Sequence, residues 1–152
     1  MLDRMQNIQD FITESLDYFN SKFEKTSMDK YFADRDTRSI LDKTINDIIL
    51  SVIDISIESL KYHKRNIPKS YKDTVLACYE FIGDVALKVA PLVKRRNETI
   101  HQYLKINWQN VVTVHDKLGD IKEFAISVCR EREQKQVQST EQTENKKPHH
   151  HH

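Results

Sequence analysis

The run Lys94-Arg95-Arg96-Asn97-Glu98-Thr99-Ile100-His101-Gln102-Tyr103 gathers most of the groups in this chain that suit phosphodiester chemistry. On a regular helix Asn97 and His101 are four apart and share a face, and Arg96 and Tyr103, seven apart, nearly align. Arg96 and His101 are five apart, about 140° around the axis, so only a long, curling guanidinium brings them to one pocket. An imidazole can take the proton of a ribose 2′-hydroxyl or return one to the leaving 5′-oxygen. A guanidinium stays charged and can hold two phosphate oxygens while negative charge builds on them. Asn97 can orient the imidazole or donate to phosphate, and attack by a 2′-hydroxyl needs no divalent ion. Lys88, Lys94, Arg95, Arg96 and Lys105 face a single acid, Glu98, across this stretch, a local basic patch in which Lys94 and Arg95 are candidate RNA contacts. The same spacing also fits an ordinary solvated helix face, and spacing alone leaves both readings open.

The elements that must position this run are helices. Met5, Ile8, Ile12, Leu16, Phe19 and Phe23 recur in three- and four-residue steps and predict a first helix over Leu2–Phe23. A polar connection follows from Glu24 to about Asp36, with Tyr31 and Phe32 expected to plug the bundle end. A second helix over Asp36–His63 carries Leu41, Ile45, Ile48, Val52 and Ile55 beside Ile49, Ile53, Ile57 and Leu60, an arc wide enough to touch several neighbours. Pro68 forbids easy continuation. Ser70 caps a short third helix with Val75, Cys78 and Ile82, Gly83 ends it, and Asp84 opens a fourth helix over Val85–Tyr103. Pro91 lies inside that helix and is expected to kink it. Asn107 caps a fifth helix with Trp108, Val111, His115, Leu118, Ile121, Ala125 and Val128 on one stripe. The expected fold is all-α, an antiparallel up-and-down bundle of four long helices and one short one.

Composition agrees and narrows the function. Glycine (2) and proline (3) are too scarce for a turn-rich β fold. From Lys135 the chain is Gln, Thr, Ser, Glu and Lys, and it ends in Lys146-Lys147-Pro148 and four histidines. Residues 135–152 are therefore read as a disordered tail with an affinity tag, and residues 1–134 as one helical domain. Without the tail, basic and acidic residues balance, so any RNA contact comes from a local patch rather than from net charge. The most apolar stretch, Ile48–Ile57, is interrupted by Ser51, Asp54 and Ser56, and no membrane span or signal peptide is expected. The expected location is the cytoplasm. Cys78 and Cys129 lack metal or redox spacing and read as small hydrophobic residues.

The remaining candidates have plainer readings. Glu98-x-x-His101 resembles half of a di-iron motif, but His63 and His115 have Lys and Val three residues earlier, so no metal and no cofactor is expected. His63 reads as a solvated helix end, with an RNA-backbone contact as the alternative. His115 reads as a core histidine and Trp108 as an anchor for the last helix. Asp54 reads as a polar helix edge, with orientation of His101 as its functional alternative. No Gly-rich phosphate loop and no nucleotidyltransferase signature is present.

Arg96-Asn97-x-x-x-His101-x-Tyr103 resembles the signature of HEPN-domain ribonucleases of the HepT family. The likeness spans about residues 1–130: Met1-Leu2-Asp3-Arg4, the Ile-rich second helix with Asp54-Ile55, Ile67-Pro68-x-Ser70-Tyr71, Arg96-Asn97, and Ile106-Asn107 before the last helix. It implies a HEPN bundle and a homodimer with two motifs facing across a cleft. It also implies the toxin of a type VII-like toxin–antitoxin pair that cuts RNA without metal, transfer RNA being a leading candidate. Arg96, His101 and Asn97 become the catalytic residues. The family's usual partner, an MntA-type nucleotidyltransferase antitoxin, would transfer AMP to Tyr103. Gln102 stands where many relatives have glycine, and Glu98 and Thr99 where they are often apolar, which bears on activity more than on fold. The alternative is a non-catalytic helical module that binds a nucleotide or a nucleotidyltransferase.

Overall fold

The computed structural model describes the backbone of residues 3–102 and 108–146, and side chains over 3–93 and 108–134. Eight helical segments and no strand occur among the described residues: α1 (Arg4–Glu24), α2 (Met28–Ala33), α3 (Arg35–Tyr62), α4 (Tyr71–Ala77), α5 (Tyr79–Ile82), α6 (Val85–Gln102), α7 (Trp108–Asp116) and α8 (Leu118–Lys146).

Short polar side chains start several of these helices. Asp3, Ser27, Asp34 and Ser70 each accept backbone N–H groups of the first turn of α1, α2, α3 and α4, which satisfies donors that have no partner inside the helix. The end of α3 is a Schellman turn. Lys64 N–H donates to the Lys61 carbonyl (3.0 Å) and Arg65 N–H to the Leu60 carbonyl (2.8 Å), with Lys64 left-handed at φ 57°. Gly83, at φ 75° and ψ −146°, separates α5 from α6 in a conformation that side chains disfavour.

The helices run up and down. Arg4 of α1 reaches Glu58 near the end of α3 (2.8 Å), while Tyr18 and Ile40 line one groove at the other end of the pair; α1 and α3 are antiparallel. Asp3 bonds to Arg132 and Phe23 stacks on His115, so α7 and α8 together run antiparallel to α1. Phe81 of α5 stacks on His63 at the end of α3, so α6 starts at that end, and Trp108, the first residue of α7, packs on Phe23 and Tyr31 at the opposite end. Eighteen helical residues span about 27 Å, enough for α6 to cross between the two. The core between the four long elements is apolar and tight: Ile12, Phe19, Leu41, Ile48, Ile55, Val89, Ala90, Val111, Phe124 and Val128 are fully buried.

Two expectations need correction. The connection after α1 contains the helix α2; Tyr31 plugs the bundle end as expected, but Phe32 stays exposed. The third and fifth predicted helices are each broken at one residue, Cys78 and Lys117, where the N–H turns back to a carbonyl three residues earlier. Gly119, two residues past Lys117, lowers the helical preference locally. The backbone of α8 runs past Lys135 to Lys146. Glu, Gln, Lys and Arg favour helix without needing a core. The last stretch of the chain, with the four histidines, lies outside the described residues.

Candidate functional site

The basic run rides on α6. Val85, Ala86, Val89, Ala90, Leu92 and Val93 are buried, while Asp84, Leu87, Lys88 and Pro91 are exposed. The helix continues through Pro91. The missing Pro91 N–H would have bonded the Leu87 carbonyl; both residues face water, so solvent can replace it. Helical positions 96 and 97 follow Val93 by three and four residues and continue the row that contains Val89 and Val93. The backbone of Lys94, Arg95, Arg96, Asn97 and His101 falls within α6. Their side chains, the whole of Tyr103 and the expected cap Asn107 lie outside the described residues.

The end of the bundle toward which α6 runs is described in detail. The Phe23 ring is sandwiched between Trp108 (centroids 5.5 Å, planes 9° apart) and His115 (4.0 Å, 17°). Trp108 and His115 are seven apart, two helical turns on one face of α7, so one ring from α1 fits between two rings from α7. Tyr31 also packs against Trp108 (5.6 Å). Its hydroxyl donates to Asp42 Oδ1 at 2.8 Å, and Arg38 donates to the carbonyls of Tyr31 and Phe32 (3.3 and 3.0 Å). Burial pushes the Asp42 carboxyl up to about 6, against the opposing pull of the Tyr31 bond and Arg38. Burial and the bond to Asp42 raise the Tyr31 hydroxyl above its ordinary value. One turn further along α3, Asn46 buries an amide oxygen without a hydrogen-bond partner. Asp42 had no distinguishing mark in the sequence, where it looks like any polar position between Leu41 and Ile45.

Other candidates fall into place or are displaced. His115 is partly buried, with its ring against Phe23 and Nδ1 3.9 Å from Asp116, and Trp108 is the anchor expected. His63 is not a solvated helix end. It is buried, Nε2 lies 2.7 Å from Glu131, and its ring stacks on Phe81 at 3.8 Å. The Schellman turn folds the chain back and carries Arg65 onto Glu80 and the Phe81 face, closing the helix end over His63. Asp54 is exposed beside Arg4, Asn7 and Ser51 in the outer α1–α3 groove. Cys78 and Cys129 are buried, and burial pushes both thiols up to about 11. Among the described residues no group of three or more His, Cys, Asp or Glu could hold a metal ion, and no helix is long and apolar enough to cross a membrane.

Searches of curated proteins and of solved structures return no match to this chain. The family model described as Ribonuclease HepT-like matches residues 1–128, a span that takes in α1 to α7, the start of α8 and the Arg96–Tyr103 run, and the chain belongs to that ribonuclease family.

Proposed function

We propose that this protein is a metal-independent endoribonuclease acting as the toxin of a type VII-like toxin–antitoxin pair in the cytoplasm. The observation that carries the reading is the family match over residues 1–128 together with Arg96, Asn97 and His101 in the last turns of α6. His101 takes the proton from a ribose 2′-hydroxyl and returns one to the departing 5′-oxygen. Arg96 stabilises the charge on the pentacoordinate phosphorus, and Asn97 positions the imidazole or phosphate. Lys94 and Arg95 hold the flanking RNA backbone, as local charges in a domain without net basicity. Two copies form a homodimer whose motifs share one cleft, and transfer RNA is the leading substrate.

Control falls to Tyr103. An MntA-type nucleotidyltransferase partner transfers the AMP moiety of ATP to its hydroxyl, releasing pyrophosphate, and the new phosphate competes with RNA for the Arg96 guanidinium. The test is cleavage of RNA in EDTA by the purified protein. The expected products carry 2′,3′-cyclic phosphate ends, and His101→Ala abolishes them. Arg96→Lys is also expected to fail, because lysine cannot reproduce a bidentate contact. Equal cleavage by wild type and His101→Ala would sink the catalytic assignment. Intact mass after co-expression with the nucleotidyltransferase should show adenylate on the wild type and none on Tyr103→Phe.

A further inference from the structure

The end of the bundle that receives the motif-bearing helix is held by an arrangement that packing alone does not require. Tyr31 is completely buried, and its hydroxyl donates to a carboxylate. That carboxylate reaches across from α3 to α2, and the Tyr31 ring in turn bears on Trp108. Trp108 also stacks on Phe23, which stacks on His115 in turn. Trp108 is the first residue of α7, five positions after Tyr103 and seven after His101. Wherever the chain goes between the end of α6 and α7, it must arrive at the point that Tyr31, Phe23 and Asp42 fix.

We propose that Asp42 is a positioning residue for the Arg96/His101 centre: by holding Tyr31 against Trp108 it fixes the start of α7, five positions after Tyr103. The inference rests on the ribonuclease reading. It gives a physical role to a half-buried acceptor that an apolar side chain could replace at lower cost in desolvation. The described groups that face it are the Tyr31 hydroxyl and Arg38. Asp42 does not touch RNA; it acts through a bond, a ring contact and the covalent chain. Displacement of a reacting group by about 1 Å can cost up to two orders of magnitude in rate, so a rigid start to α7 matters for kcat more than for RNA affinity.

The experiment compares wild type, Asp42→Ala, Asp42→Asn, Tyr31→Phe and His101→Ala as full chains, cutting one RNA in EDTA. Trp108 is the chain's single tryptophan, so its emission reports on the clasp in each variant while circular dichroism reports on overall folding. Asp42→Ala and Tyr31→Phe should lower kcat about tenfold or more, leave KM within about twofold, and shift the Trp108 emission at unchanged helicity. Asp42→Asn keeps an oxygen for the Tyr31 hydroxyl and should recover most of the rate. Should Asp42→Ala unfold, Tyr31→Phe, which removes only the oxygen, carries the test. Cleavage that depends on His101 but is unchanged in Tyr31→Phe and Asp42→Ala overturns the positioning role and leaves the ribonuclease reading intact. A wild type that leaves RNA uncut, or a His101→Ala chain that cuts as fast, overturns both.

Discussion

Asp3 and Arg132, 129 positions apart, are joined by both carboxylate oxygens to the two terminal nitrogens of the guanidinium. The same carboxylate accepts the N–H groups of Met5 (3.0 Å) and Gln6 (3.4 Å) at the start of α1. One side chain therefore caps the first helix and ties it to the last. Cys129, one turn before Arg132, packs its sulfur on the Met5 carbonyl (3.8 Å), so the junction has a buried underside.

Two substitutions separate the roles of Asp3. Asp3→Ala loses cap and ion pair together and should cost about 2 kcal/mol, the upper range for a lost N-cap. Asp3→Asn keeps a capping oxygen and should cost clearly less. Arg132 holds the Asp3 carboxyl below the usual carboxylate range. Its contribution is therefore in place above the unfolded value near 4 and disappears as pH falls through the lower folded value. Urea unfolding at neutral pH and near pH 3 should show the wild-type advantage over Asp3→Asn shrinking on the acid side. An unchanged gap would mean that the pair contributes nothing.

At the opposite edge of α8, His63 is sealed between Phe81 and Glu131. His63→Ala removes a buried ring and a bond to a carboxylate that is itself only 22% exposed. The expected loss is about 2–4 kcal/mol, far more than a solvated helix-end histidine would give. A double-mutant cycle with Glu131→Gln should return a coupling of about 1 kcal/mol or more. Additive single effects would show that the imidazole works by packing on Phe81 alone.

The pattern of what was legible follows from range. α1, α3 and the first half of α6 were readable because each needs only its own periodicity and a local cap: Ile12, Ile48 and Val89 sit where three- and four-residue steps put them. His63 was misread because its partners, Phe81 and Glu131, are 18 and 68 positions away and nothing near His63 announces them. Asp54 and Asp42 look alike in sequence; only the packing of α1, α2 and α7 separates an outer groove from a clasp. The motif itself was visible as residue types in order, and its family, rather than its spacing, gave it meaning.

Lys64 makes the αL turn that ends α3 with a side chain where glycine fits best. A left-handed residue with a Cβ costs roughly 1 kcal/mol. The turn's two hydrogen bonds come from backbone N–H groups and survive any substitution that keeps the geometry. Lys64→Gly should therefore stabilise the protein, by somewhat less than that amount because glycine also loosens the unfolded chain. Thermal melts of the two proteins decide the sign. A lower melting temperature for Lys64→Gly would imply that the lysine side chain contributes more than its strain costs.

The two cysteines test whether the core is as closed as it looks. Cys78 is fully buried and Cys129 nearly so, and at pH 8 thiols pushed up to about 11 carry almost no thiolate. Ellman's reagent should find no fast-reacting thiol in the folded protein and both thiols once denaturant is added. Labelling should follow opening of the α4–α5 and α1–α8 packing rather than reagent access. A rapid stoichiometric reaction in the native state would show that one of these contacts is already open.

Asp42 makes the last prediction, and its sign is opposite to that of Asp3. Burial raises its folded value to about 6, above the unfolded value near 4. Between these the folded state binds more protons, so the stability associated with Asp42 is full below about pH 4 and is lost as pH rises through about 6. Asn cannot ionise, yet its side-chain oxygen still accepts the Tyr31 hydroxyl. Asp42→Asn should therefore be about as stable as wild type near pH 4 and more stable at pH 7.5, with the gap opening across pH 4–6. The carboxyl is only half buried, so solvent screening keeps the gap below what the shift alone suggests. Melting curves of both proteins from pH 4 to 8 provide the check. A gap that closes as pH rises would mean that the Asp42 carboxylate is stabilised, not penalised, at the end of the bundle where the motif helix arrives.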